Sequence, residues 1–143
     1  MFCEFNVEMS ATDEFIFVTS DIELICNTPH KCQIKGPGRH LVIKGSSSKA
    51  FVQGFVFKGS TVGAVHVQEG TSHVQSFCNN IFDSNVGGER GLGIRTERNT
   101  ITEVSNCRFK QNESTDLGGG IFNRGAMLVK NSAFFGNIGR GGW

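Results

Sequence analysis

Two cysteines and a histidine lie close enough in the sequence to bind a metal ion or to form a disulfide. Cys26 and Cys32 are separated by five residues, and His30 lies between them. A structural zinc site needs four ligands, and this group has no fourth candidate nearby. A disulfide that closes the loop, or a pair of buried thiols, is therefore favoured over a zinc site. The sequence predicts no metal and no other cofactor.

Acidic side chains are the second group that could do chemistry, because most glycoside hydrolases use two carboxyl groups at a set separation. Four acids lie in predicted loops: Glu89, Glu97, Glu103 and Asp116. Among the positions expected to point outward from strands, only Asp83 is acidic. Strand alternation therefore predicts no catalytic residue and no calcium site, which would need several oxygen ligands together. The loop acids could still assemble with Arg90 and Arg98 into a site that alternation does not reveal.

A row of basic and aromatic residues is the candidate for a binding surface. His66, Arg95 and Phe122 occupy equivalent positions in three successive repeats, and we expect them to point outward side by side. Such a row could stack on a sugar or contact another protein chain, and an ordinary surface is the alternative.

A second outward row consists of charges that alternate in sign. Lys58, Asp83 and Lys110 also occupy equivalent positions in successive repeats. Opposite charges on neighbouring strands stabilise a sheet modestly, and exposed pairs contribute little to function. We interpret this row as a solvated charge ladder.

A repeat of about 25 residues is what brings these candidates together. Each copy has a Phe, an Asn three residues later, and then glycines and an aliphatic residue. The Phe positions are Phe57, Phe82, Phe109 and Phe134, at intervals of 25, 27 and 25 residues. The Asn positions are Asn85, Asn112 and Asn137, and Ser60 takes this place in the first copy. Fixed repeats of this length indicate a solenoid.

The repeats predict an all-β fold, a right-handed parallel β-helix of about five coils. Each copy contains three short strands and no helical periodicity, and the leucine framework of leucine-rich repeats is missing. We assign residues 1–143 to a single domain, with an N-terminal strand or cap at 1–21 and coils over 22–143. The glycine pair at 141–142 is followed only by Trp143, so we expect the C-terminal coil to be truncated.

The repeated residues have structural roles in this fold. We expect the four phenyl rings to stack inward from coil to coil, and Val65, Ile94 and Ile121 to form a second inward column. Ile34 should occupy the position of the phenyl column one coil earlier. The Asn residues are expected at a bend, where Asn tolerates left-handed backbone and its amide bonds the neighbouring coils. Asn112 begins a glycosylation sequence, but an amide turned into such a stack cannot carry a glycan.

Composition and charge exclude several classes of function. The chain has 14 basic and 13 acidic residues spread along its length, and its net charge is +1. It has no run of Lys or Arg and no basic helix, so we expect no nucleic-acid partner. No segment approaches the roughly 20 apolar residues of a transmembrane helix. The N-terminal residues lack the pattern of a signal peptide.

The repeats resemble those of a known group of β-helical proteins. Phe109-Lys-Gln-Asn112, followed by Gly118-Gly-Gly-Ile121, is similar to the repeats of chlamydial polymorphic membrane proteins and of other pectin-lyase-like right-handed β-helices. The copies at 63–65 and 91–94 depart from the double glycine. The resemblance covers about residues 15–143, and it implies this fold and an extracellular or cell-surface setting.

Two functions from different classes remain open. The first is a non-catalytic, surface-associated β-helix module that binds carbohydrate or protein, mediates adhesion or has a structural role. The alternative is a fragment of a pectin-lyase-like polysaccharide lyase or glycoside hydrolase, a class that carries carboxylates on one outward face. An uncapped C-terminal coil would in addition allow end-to-end association through its open strand edges.

Overall fold

The computed structural model describes residues 6–8, 16–46 and 48–140. These residues form strands and turns and include no helix, hence no helix that could span a membrane. They build a parallel β-solenoid of about five coils. The expectations placed on residues 1–5, 9–15 and 141–143, which include most of the N-terminal cap and the C-terminal glycine pair, lie outside the described residues.

The strands follow one another in the same order in each coil. The first coil contains β1 (Asn6–Glu8), β2 (Ile16–Val18) and β3 (Ile22–Ile25). The second contains β4 (Cys32–Lys35), β5 (Leu41–Ile43) and β6 (Ala50–Gln53), and the third contains β7 (Phe55–Lys58), β8 (Val65–Val67) and β9 (Val74–Cys78). The fourth contains β10 (Ile81–Asp83), β11 (Val86–Gly87), β12 (Ile94–Thr96) and β13 (Ile101–Ser105). The fifth contains β14 (Arg108–Lys110), β15 (Glu113–Ser114), β16 (Ile121–Asn123) and β17 (Ala126–Lys130), and β18 (Ala133–Phe135) and β19 (Ile138–Gly139) follow.

Equivalent strands of successive coils pair in parallel and form the faces of the solenoid. Sheet A is β1-β4-β7-β10-β14-β18, sheet B is β2-β5-β8-β12-β16, sheet C is β3-β6-β9-β13-β17, and sheet D is β11-β15-β19. The predicted all-β parallel solenoid is confirmed. Strands β1 and β2 already belong to the first coil, in the segment that we assigned to an N-terminal strand or cap. Sheet D adds a fourth, two-residue strand where we expected only a turn.

A column of stacked phenyl rings fills the core behind sheet A. Phe57, Phe82 and Phe109 are fully buried and lie opposite one another in register. The ring centroids of this phenyl spine, which ends at Phe134, are 5.2, 4.6 and 4.7 Å apart. Ile34 pairs with Phe57 one coil earlier, as predicted. Burial of each ring stabilises the fold by roughly 2 kcal/mol.

The second inward column lies behind sheet B. Val65 and Ile94 are fully buried, and Ile121 is partly buried. Ile94 pairs with Val65 on one side and with Ile121 on the other, as predicted. Gly93 precedes this column at a point where the chain passes close to the phenyl spine. A Cβ atom at Gly93 would lie 2.9 Å from a ring carbon of Phe109 and still closer to the Gly120 carbonyl oxygen. Only glycine fits this close approach.

The predicted asparagine ladder lies at the bend between sheets A and D. Oδ1 of Asn112 accepts hydrogen bonds from the backbone N and from Nδ2 of Asn85, at 3.2 and 2.8 Å. Asn137 makes the same two contacts with Asn112, at 3.1 and 2.8 Å. Nδ2 of Asn112 also donates to the carbonyl oxygen of Phe82 at 3.0 Å. This buried amide leaves no room for a glycan, as expected.

The left-handed backbone at this bend lies one residue earlier than predicted. Ser84, Gln111 and Gly136 have φ angles of 52°, 53° and 58°, whereas the ladder asparagines do not have positive φ. The expectation for the asparagines was therefore wrong. The reason is that each Asn already begins the extended path into sheet D, where the backbone N of Glu113 donates to the carbonyl oxygen of Asn85 at 2.9 Å.

A second polar ladder, which the sequence analysis missed, lies at the bend between sheets C and A. The backbone N of Phe55 donates to Oδ1 of Asn80 at 2.9 Å, and the backbone N of Asn80 donates to Sγ of Cys107 at 3.4 Å. The backbone N of Cys107 in turn donates to Oγ of Ser132 at 3.1 Å. The usable signal was Asn80, Cys107 and Ser132, each two positions before a Phe of the spine, although Phe55 holds this position before Phe57. Burial raises the pKa of Cys107 to about 11, so its thiol is unreactive.

The cysteine-containing loop is closed by a disulfide between Cys26 and Cys32, both of which are buried. Of the two alternatives, the structure therefore selects the disulfide over buried thiols. Nε2 of His30 lies 2.9 Å from the carbonyl oxygen of Asn79, and since a carbonyl only accepts, this nitrogen is the donor. Within the described ranges, no three His, Cys, Asp or Glu side chains are grouped as metal ligands would be.

Candidate functional site

The predicted row of His66, Arg95 and Phe122 lies on sheet B. Strands β8, β12 and β16 place the three residues directly opposite one another, with Arg95 in the middle. The residues before each of them belong to the inward column, so alternation along the strand turns the row outward. On the other side of His66, the neighbour in register is Val42 of β5.

His66 is the buried end of this row, with 9% of its surface exposed. Its Nδ1 lies 3.0 Å from Nη1 of Arg39, and a guanidinium only donates, so Nδ1 accepts and Nε2 carries the proton. Nε2 faces Oε1 of Glu97 at 3.5 Å, which is too long for a well-formed hydrogen bond. Burial and the charges of Arg39 and Arg95 lower the pKa of His66 to about 4, against the opposing effect of Glu97. The imidazole is therefore neutral at pH 7.

Arg39 holds His66 from the turn between β4 and β5. Its Nε and Nη2 donate to the carbonyl oxygen of Val62 at 3.1 and 2.7 Å, while Nη1 reaches His66. Burial lowers the pKa of Arg39, an effect that Glu89 opposes and Arg95 reinforces. The side chain still remains charged. Arg39 was not selected from the sequence, because it lies in a turn outside the strand repeat.

Glu97 is the carboxylate on which the arginines of this surface converge. Its Oε1 accepts from Nε of Arg95 at 2.6 Å, and its Oε2 pairs with Nη1 of Arg124 at 3.2 Å. Nη1 of Arg95 also pairs with Oε2 of Glu89 at 3.0 Å. Burial alone would raise the pKa of Glu97, but the hydrogen bond and charge of Arg95, together with Arg124, bring it below its ordinary value.

Phe122 forms the other end of the row and lies against the partly exposed Arg90, while Arg124 follows two residues later in the chain. The guanidinium carbon of Arg90 lies 5.4 Å from the centroid of the Phe122 ring, within the range of a cation–π contact. Nε of Arg90 pairs with Oδ2 of Asp116 at 2.7 Å. The other guanidinium nitrogens of Arg90, and Nε and Nη2 of Arg124, have no acceptor within the described part of the chain. The side chains of Arg90 and Arg124 are 43% and 37% exposed, so a partner can reach them.

We call this assembly the arginine cluster. It consists of Arg39, His66, Glu89, Arg90, Arg95, Glu97, Asp116, Phe122 and Arg124. Of the six loop residues that could assemble into a site, four are members: Glu89, Arg90, Glu97 and Asp116. Glu103 is not a member, because it lies on sheet C and pairs with Lys130 at 2.8 Å. Arg98 is exposed and makes no ion pair with described residues.

The row of alternating charges on sheet A forms ion pairs as predicted. Oδ2 of Asp83 lies 3.4 Å from Nζ of Lys58 and 3.2 Å from Nζ of Lys110. Burial opposes ionisation of Asp83, but hydrogen bonds from Ser84 and Lys110 and the two lysine charges lower its pKa. Only 10% of the Asp83 side chain is exposed, and both lysines pair with its Oδ2.

The last described coil has an open apolar cavity of about 720 Å³ at the edge of the solenoid. Its lining includes Ile121, Phe122, Val129 and the spine residue Phe134. Phe134 is 48% exposed, whereas the rings before it in the spine are fully buried. Exposed apolar side chains are therefore concentrated at this edge.

Comparisons with family models, with curated proteins and with solved structures find no match to this chain.

Proposed function

We propose that this protein is a non-catalytic, surface-associated β-solenoid module that binds carbohydrate or a protein surface through its arginine cluster. The observation that carries the proposal is the placement of Arg95 and Phe122 in register, with Arg90 against the ring and Arg124 paired with Glu97. An aromatic ring next to arginines is the combination that dominates many binding surfaces. The free guanidinium donors can bind carboxylate, sulfate or carbonyl oxygens of a partner.

The electrostatics of the cluster favour binding over catalysis. A glycoside hydrolase needs a general acid whose pKa is raised, so that the carboxyl group carries a proton at working pH. Glu97 has the opposite property, because Arg95 and Arg124 stabilise its ionised form. His66 is neutral and enclosed by Arg39 and Glu97, so it is poorly placed to exchange a proton with a substrate.

A binding assay with matched variants tests the proposal. The fluorescently labelled chain is applied to a glycan array and to cell surfaces that are untreated, deglycosylated or treated with protease. We expect Phe122→Ala and Arg90→Ala to weaken retention about tenfold, which corresponds to roughly 1.4 kcal/mol. Phe135→Ala and Arg108→Ala are the controls, since both residues are exposed on sheet A. Equal losses in the variants and the controls, or no retention on any surface, would reject the arginine cluster as the binding surface.

The alternative is a fragment of a polysaccharide lyase or glycoside hydrolase. The observation in its favour is that Glu89, Glu97 and Asp116 all lie in one cluster with arginines. Incubation with uronate polymers separates the two proposals. Unsaturated or shortened products that disappear with Arg95→Ala would establish the enzyme and refute the non-catalytic module.

The family assignment is also a proposal. We infer that the chain belongs to the pectin-lyase-like right-handed β-helices, with repeats similar to those of chlamydial polymorphic membrane proteins. The asparagine ladder, the phenyl spine and the coil length support this assignment. The Cys26–Cys32 disulfide supports an extracellular or cell-surface location, because such bonds persist in oxidising compartments. An experimental structure that showed left-handed coils would exclude the family.

End-to-end association through the last described coil is the remaining proposal on partners. Phe134 and Ile138 are 48% and 57% exposed and lie next to strand edges without a neighbour among described residues. Such edges pair readily with other strands. Light scattering should show concentration-dependent assembly that Ile138→Lys abolishes and that Val86→Lys, at the equivalent position of sheet D, leaves unchanged.

A further inference from the structure

We propose that the arginine cluster is acid-responsive, with protonation of His66 releasing Arg39 and rearranging the surface around Arg95. The proposal rests on the proposed function only in its consequence for binding. The rearrangement itself concerns the free protein. The starting point is the tautomer of His66. The Arg39 guanidinium can only donate, so Nδ1 of His66 must be the acceptor and Nε2 carries the proton.

The contact between Arg39 and His66 requires a neutral imidazole. Nη1 of Arg39 donates to Nδ1 at 3.0 Å, and this bond exists only while Nδ1 has a free lone pair. A proton on Nδ1 would replace the acceptor by a second donor that faces the guanidinium. The contact would then become repulsive in both hydrogen bonding and charge.

The charged groups that face His66 come from three segments. Arg39 reaches it from the turn between β4 and β5, Arg95 lies beside it on β12, and Glu97 follows β12. On β5 the neighbour in register is Val42, which is apolar and buried. Two cations and one carboxylate therefore surround the ring.

Glu97 cannot fully compensate a charge on His66, because it already pairs with two arginines. Its Oε1 bonds Arg95 at 2.6 Å, and its Oε2 pairs with Arg124 at 3.2 Å. An imidazolium would attract Oε1 from its present distance of 3.5 Å to Nε2. Because Oε1 can accept from both donors, the carboxylate would shift towards His66 and alter the geometry of the Arg95 contact, which transmits the change to the row that carries Phe122. The lowered pKa of about 4 places this change in acid and not near neutrality.

The chain offers a non-titrating substitute for His66 and a matched control. In His66→Asn, the amide oxygen can accept from Arg39 as Nδ1 does, but no proton is gained in this pH range. His73 is exposed, so His73→Asn is the same substitution at a position without these contacts. His40 is a second buried histidine, and it remains unchanged in both variants.

The test follows the free protein by NMR from pH 7 to pH 3.5, with the imidazole nitrogens and the Arg39 side chain observed. We expect His66 to be protonated on Nε2 at pH 7 and to titrate near pH 4, with the Arg39 signals moving at the same midpoint. The Arg39 transition should be lost in His66→Asn and kept in His73→Asn. A transition that persists in His66→Asn would assign the change to another group, such as His40, and would overturn the proposal. A midpoint at the ordinary pKa near 6.5, or an unmoved Arg39, would also overturn it.

A second arm connects the rearrangement to binding. Retention on immobilised dextran sulfate, whose charge stays constant over this range, is measured at pH 7 and pH 4. Carboxylates gain protons in all three proteins over this range, so retention changes in each of them. We expect the change to be at least threefold larger in the native chain and in His73→Asn than in His66→Asn. If the NMR transition occurs but no retention is seen at either pH, the proposed binding of anionic partners fails while the acid response stands. Equal pH dependence in all three proteins would overturn the connection to His66.

Discussion

The phenyl spine predicts a large and position-specific loss of stability when one inner ring is removed. Phe82 is fully buried, and its ring centroid lies 5.2 Å from that of Phe57 and 4.6 Å from that of Phe109. Phe82→Ala leaves a cavity with a ring on each side, so relaxation cannot fill it without breaking the register of two coils. Core Phe→Ala substitutions cost about 3–5 kcal/mol. This is a large part of the roughly 5–15 kcal/mol that stabilises a typical domain.

Urea unfolding followed by circular dichroism measures this loss. With a slope of about 1–3 kcal/mol per molar urea, the midpoint should fall by roughly 2 M. Phe135→Ala is the matched control, because Phe135 belongs to the same sheet but points outward and is 59% exposed. Its substitution should change stability by less than about 0.5 kcal/mol. If the free energies of unfolding of Phe82→Ala and Phe135→Ala lie within about 1 kcal/mol of each other, stacking of the inner rings does not stabilise the solenoid.

Three further predictions concern the asparagine ladder, the close approach of Gly93 to the phenyl spine, and the buried imidazole of His66. Asn112→Ala should cost about 2–4 kcal/mol, because it leaves the backbone N of Asn85 and the carbonyl oxygen of Phe82 without their side-chain partner. The control is Asn27→Ala, at an exposed position without positive φ, which should change urea stability by less than about 0.5 kcal/mol; equal effects would contradict the ladder's role. Gly93→Ala should lower the thermal midpoint by several degrees, since a Cβ there collides with the spine, and an unchanged midpoint would show that the contact relaxes freely. Stability should be complete above pH 6.5 and fall between pH 6.5 and about 4, because the folded state lowers the pKa of His66 while the unfolded state does not. Solvent around the arginines screens the charges, so we expect the loss of unfolding free energy to reach about 2 kcal/mol. His66→Asn should reduce this loss. A stability maximum below pH 5 would contradict the prediction that acid destabilises the fold through His66.

The sequence determined the solenoid because each coil repeats the same pattern of inward and outward residues. A Phe at a spacing of about 25 residues must meet the next Phe when strands stack in parallel, and the inward column and the asparagine ladder follow from the same translation. The row of His66, Arg95 and Phe122 could be found in this way, since all three lie on repeated strands. Sheet D could not be found, because two-residue strands carry no alternation pattern.

Only the tertiary structure decided how the outward row is surrounded. Arg39 and Asp116 lie in turns outside the strand register, so spacing could not show that one contacts His66 and the other Arg90. The same holds for Glu97, whose role depends on which guanidinium groups converge on it. Side chains on strands are positioned by the repeat, whereas side chains on turns are positioned by the particular path of each loop. The fold was therefore readable from periodicity, and the electrostatics of the candidate surface were not.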